Sequence, residues 1–138
     1  MKLRRTNSFL VICFTAALLS CTTTTTKIKT PEFSDQVKVQ QELNSIVKAQ
    51  NVNLNGTEIT TKNKTTSELE VSIINGQNLP VNKDQQKAFE KLIAICIKKN
   101  LKNQNQFESY KVLLVKRAES NGATNQSWIG TSFKASEL

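Results

Sequence analysis

Apolar residues recur along this chain at two spacings, and the switch between them marks out its elements. Val39, Leu43, Ile46 and Val47 lie at helical spacing, with Lys38, Gln41, Glu42 and Lys48 elsewhere on the turn. Ser34-Asp35 stands just ahead and offers an N-cap and a first-turn acid. The stripe is narrow, so this helix should cover a core from one side only. The spacing then drops to two. Thr57, Ile59 and Thr61 alternate with Glu58, Thr60 and Lys62, and Leu69, Val71 and Ile73 alternate with Glu68, Glu70 and Ser72. Lys62-Asn63-Lys64 supplies the turn between them, because Asn tolerates the left-handed backbone region. Together they predict a β-hairpin, apolar inward and polar outward, in a sheet with one wet face.

Helical spacing returns after Pro80. Asn82 with Gln85 three residues on forms a capping pattern, and a helix is predicted over residues 83–99. Phe89, Leu92, Ile93, Cys96 and Ile97 make a broad stripe, widened by Ala88, Ala94 and Ile95. Residues 92–97 are apolar without interruption, which predicts a central helix buried nearly all round. Lys98, Lys99 and Lys102 sit where cations oppose the helix dipole. Two strands follow. Tyr110, Val112 and Leu114 share one face, while Leu113 and Val115 share the other, the pattern of an interior strand. Asn121-Gly122 makes a turn, and residues 128–133 return, with Gly130 marking a bulge or a close packing contact. The order is helix–strand–strand–helix–strand–strand. The expected fold is α+β, a four-stranded, mostly antiparallel sheet with both helices on one face.

Ahead of this domain the pattern is of another kind. Residues 9–19 are apolar and follow Lys2, Arg4 and Arg5, as in a secretory signal peptide. An eleven-residue helix reaches only about 17 Å, against a hydrocarbon core of about 30 Å, so this segment is too short to span. It closes on Leu18-Leu19-Ser20-Cys21, which resembles the lipobox of bacterial lipoprotein precursors; Ser20 gives the small residue that class needs before its cysteine. The resemblance implies removal of residues 1–20 and acylation of Cys21 with chains such as palmitate. The partner at that residue is then the membrane itself, since two acyl chains anchor a protein stably. Thr22 stands where an aspartate would signal inner-membrane retention in enteric-type bacteria, so the outer membrane of the cell envelope is favoured. Residues 21–31 are then a lipidated cysteine and a threonine-rich tether reaching about 30 Å from residue 22 to 30, and residues 32–138 the α+β domain. The resemblance covers the leader alone and names no family for that domain.

Composition narrows the chemistry. Losing Lys2, Arg4 and Arg5 takes three cations from a formal charge of +8, leaving a modest +5. That suits an acidic envelope surface; an exported protein is not expected to meet nucleic acid. There is no histidine, which removes the commonest general base and transition-metal ligand. Cys96 would be the one cysteine left after acylation, on the most apolar helix, and reads as a small core residue. Carboxylates are scattered, with no spacing suited to calcium, so no cofactor or metal site is expected. Glu68 and Glu70 share a strand face about 7 Å apart, a separation that acid–base pairs use.

No catalytic residue is expected. The aromatic residues Tyr110, Trp128 and Phe133 near the C-terminus are the candidates for partner contact. If Trp128 and Phe133 fall on opposite faces of their strand, one of them is exposed beside a sheet edge. The sequence therefore favours a lipid-anchored envelope protein with a small binding or adaptor domain. Its alternatives are a carboxylate-dependent envelope hydrolase using Glu68 and Glu70, and a self-assembling structural lipoprotein.

Overall fold

The computed structural model describes residues 24–120 and 122–138, so the leader and Cys21 lie outside the described residues. Among them the chain runs β1 (Thr25–Ile28), α1 (Gln36–Ile46), β2 (Asn51–Thr61), β3 (Lys64–Ile74), α2 (Lys83–Asn100), β4 (Ser109–Ser120) and β5 (Ala123–Lys134). A single 3-10 turn, Ala135–Glu137, follows. The strands make one sheet in sequence order, β1-β2-β3-β4-β5. The α+β class and the strand and helix order stand as expected, but the sheet has five strands and is mixed. β3 and β4 run parallel while every other pair is antiparallel. The connection explains this: α2 carries the chain back along the sheet, and a long crossover permits a parallel return.

Local chemistry starts both helices. Asp35 is itself the α1 cap, its carboxylate accepting from the Lys38 amide at 3.0 Å. Asn82 caps α2, accepting from the amides of Asp84 at 2.9 Å and Gln85 at 3.4 Å. Both helices cover one face of the sheet. Val39, Leu43 and Val47 of the α1 region and Ile93, Ala94, Cys96 and Ile97 of α2 meet Leu69, Val71, Ile73, Tyr110, Val112, Leu114 and Phe133 in a single core. Each such aliphatic contributes about 2 kcal/mol on leaving water, which makes this layer the main source of stability. On the opposite face Ile74, Leu113 and Val115 form a small second cluster. β4 is thus buried on both faces, as its doubled apolar pattern predicts.

Four local expectations are corrected. The threonine-rich stretch is not wholly a free tether: Thr25 to Ile28 pair with Thr60 to Thr57 as a fifth, edge strand. All four side chains are exposed, so backbone pairing rather than burial holds them. Ile59 does not point into the core. It pairs with Thr66 on the open face, and the inward residues of β2 are Val52, Leu54 and Gly56, opposite Ile73, Val71 and Leu69. α2 is not buried all round either; Leu92 is 55% exposed, and Ile95 is also exposed. Finally, β5 is longer than expected; of the two readings of Gly130, its continuous pairing with β4 leaves the close packing contact, against Leu113, rather than a bulge.

Candidate partner-binding edge

β5 closes the sheet on one side, and among the described residues its outer backbone edge has no neighbouring strand. Native edge strands are commonly guarded by inward charges, proline, bulges or shortness. β5 has none of these. It is twelve residues long, reads Ala-Thr-Asn-Gln-Ser-Trp-Ile-Gly-Thr-Ser-Phe-Lys, and carries one charge, Lys134, at its end. Its first half leaves the body of the sheet. Lys116 to Ser120 pair with β5 alone, because β3 stops at Ile74, opposite Val115. The two strands therefore project as a ribbon with both faces exposed.

The middle of β5 carries the chemistry. Trp128 lies opposite Val115 on the open face, 62% exposed, and Ile129 follows on the helix face, 54% exposed. Lys111 stands over the Trp128 ring at 5.9 Å and pairs with Glu70 at 2.9 Å. These neighbours leave the indole less freedom than a lone surface tryptophan has. On the helix side, a groove of about 520 Å³ runs between α2 and β5, lined among others by Lys83, Lys87, Glu90, Ile129 and Thr131. A hollow of about 210 Å³ lies beside it, between Leu79, Leu114, Trp128 and Ile129. An open edge, two exposed apolar side chains and a flanking groove are the parts used when an extended segment adds to a sheet.

Of the three aromatic candidates, Trp128 alone is at the surface. Tyr110 and Phe133 are buried side by side, at paired positions of β4 and β5 within the core. Burial pushes the Tyr110 phenol up to about 12, and its hydroxyl finds no hydrogen-bond partner among the described residues. Trp128 and Phe133 lie on opposite faces of β5.

Glu68 and Glu70 share the open face, and each is engaged. Ser109 donates to Glu68 at 3.5 Å and Lys111 to Glu70 at 2.9 Å. Cys96 is buried, and burial first, then the charge of Glu42, pushes its thiol up to about 11. Its neighbours form a clamp between the helices. Glu42 on α1 accepts from Asn100 at 2.7 Å and from Cys96 at 3.7 Å, and pairs with Lys99 at 3.1 Å. The Asn100 hydrogen bond and Lys99 together hold the Glu42 carboxyl below the usual carboxylate range.

Sequence reasoning missed Glu90. A glutamate in a lysine-rich helix reads as solvated, yet this one is 0% exposed. The i, i+4 pair with Gln86, which donates to it at 2.9 Å, is the one sequence feature that pointed there. Among the described residues no cluster of three or more His, Cys, Asp or Glu could hold a metal ion, and no helix is long and apolar enough to cross a membrane. Compared with known protein families, curated proteins and solved structures, the chain matches none.

Proposed function

We propose that this chain is a lipid-anchored protein of the bacterial cell envelope, held through Cys21, whose α+β domain is a binding module for another protein. The observation that carries the binding role is the unguarded β5 edge with Trp128 and Ile129 on its two faces. A protein segment fits this edge better than a lipid or a glycan. A row of backbone donors and acceptors at strand spacing is matched in register by another backbone. β1, the first described strand, lies at the opposite edge of the sheet from β5, which supports an anchor ahead of β1 that leaves β5 clear.

The test uses the full chain in cells, tagged at its C-terminus and carrying a photoreactive residue at position 129. A discrete adduct with one other envelope protein, missing when the photoreactive residue sits at exposed Gln40, supports the reading. Adducts with copies of itself alone indicate a self-assembling lipoprotein and overturn it. The anchor is checked separately, by the mass of the Cys21 peptide and by release of Cys21→Ala from membranes. An unmodified Cys21 removes the anchor while leaving the edge to be judged by the crosslink.

A further inference from the structure

The carboxylate of Glu90 is fully buried, yet half satisfied. One oxygen accepts from Gln86, and the other has no hydrogen-bond partner among the described residues. A buried acceptor left without a partner is costly to a fold, and such groups are normally hydrogen-bonded. Glu90 also forms part of the wall of the groove between α2 and β5, next to Ile129 and Thr131. An unpaired acceptor, a groove and an open strand edge coincide at one place.

We propose that Glu90 is the specificity site of the β5 edge: it receives a basic side chain, arginine or lysine, from an extended protein segment that pairs with β5. The inference rests on the edge-docking reading above and deepens it. In a strand added to β5, alternate side chains fall on the helix side, beside Ile129 and Thr131, and so face the groove. The guanidinium or ammonium takes the free oxygen of Glu90, a charge-assisted bond in a site shielded from water. Gln86 is half-buried and lies on the other oxygen, and its side chain is the one that turns to admit the ligand.

The rim favours a tethered cation over a free one. Lys83 and Lys87 flank the groove and repel a mobile cation, with only Asp84 to offset them. Backbone pairing along β5 supplies the extra attraction that carries a basic side chain past them.

Trp128 is the sole tryptophan of the chain and borders the groove, so its fluorescence reports occupancy. The probes are two strand-forming peptides, acetyl-Thr-Val-Thr-Arg-Thr-Val-Thr-amide and its counterpart with neutral citrulline for arginine, titrated into the full chain in detergent. The expected result is saturable binding of the arginine peptide, about tenfold tighter than citrulline. Glu90→Gln should remove that preference. Should Glu90→Gln disturb folding, Asp84→Asn decides: the arginine preference should persist in it, and its loss there would assign the preference to Asp84 and overturn the role of Glu90. Equal binding of the two peptides overturns the role of Glu90 and leaves edge docking in place. Failure of both peptides, with the position-129 crosslink still formed, likewise overturns it. No binding and no crosslink overturns the edge reading and this inference together.

Discussion

Leu113 stands directly opposite Gly130 on the β4–β5 ladder, and its side chain occupies the space a larger residue at 130 would need. A Cβ on Gly130 would come within 2.7 Å of Leu113 Cδ2 and would collide with the Val112 carbonyl. A strand glycine of this kind serves close approach rather than backbone freedom. Gly130→Ala is expected to cost about 1–3 kcal/mol through overpacking. Urea unfolding followed by circular dichroism checks this, and an unchanged midpoint would show that β5 can shift outward at no cost.

The Glu42 clamp predicts a pH dependence. Its carboxyl sits below the usual range because Asn100 and Lys99 favour the charged form. A depressed folded value stabilises the protein above the unfolded value of 4.5, and that contribution is lost as pH falls through the folded value. Glu42→Gln should therefore be less stable than the parent at pH 7, and the gap should close on acidification below 4.5. Denaturation midpoints of both proteins across that window decide the point.

Cys96 titrates in the other direction. Its thiol is raised from 9.0 to about 11, so its contribution is complete below pH 9 and declines as pH rises toward 11. Near pH 8 the buried thiol should resist iodoacetamide in the folded protein and react readily in urea. Fast alkylation of folded protein at that pH would contradict the packing of α1 against α2.

Trp128 should matter to binding and little to folding. It is exposed and touches Lys111 from the open face, so Trp128→Ala should move the unfolding midpoint by less than about 1 kcal/mol. Buried at an interface, a tryptophan is a frequent energetic anchor, and its loss commonly weakens a complex by more than tenfold. The measure is the yield of the position-129 adduct with and without Trp128→Ala. An equal yield would place the contact elsewhere on the sheet.

How much of this was legible depended on whether a residue's neighbours are close in sequence. Asn82 and the doubled alternation from Tyr110 to Val115 announce a cap and an interior strand, because each feature acts within a turn or a strand. The direction of β4 relative to β3 does not show in either strand; it follows from α2 crossing between them. Thr25 to Ile28 lack any apolar face, so nothing marks them as a strand until β2 lies alongside. Leu92 belongs to the same apolar run as Ile93, and only the position of the sheet tells the exposed residue from the buried one. The candidate edge divides in the same way. Opposite faces for Trp128 and Phe133 follow from alternation, whereas the burial of Glu90 depends on β5 returning beside α2.

The pairing of β1 gives the last prediction. Four residue steps, from Cys21 to Thr25, reach at most about 13 Å, whereas a chain extended through Thr30 could span about 30 Å, so β1 pairing sets the reach of the anchor proposed at Cys21. One glycine controls this. Lys29 donates to the Gly56 carbonyl at 2.8 Å, and a Cβ on Gly56 would collide with the Lys29 carbonyl and lie 2.8 Å from the Phe107 ring. Phe107 is buried and cannot easily yield, so Gly56→Ala should push the Lys29 strand away rather than the ring. β1 has no buried side chain to hold it once that contact is lost. Amide hydrogen exchange should then show faster exchange over residues 25–29 with little change in β3 and β4. Uniform acceleration across the sheet would mean instead that β1 and the core unfold as one unit, and that β1 cannot release without loss of the fold.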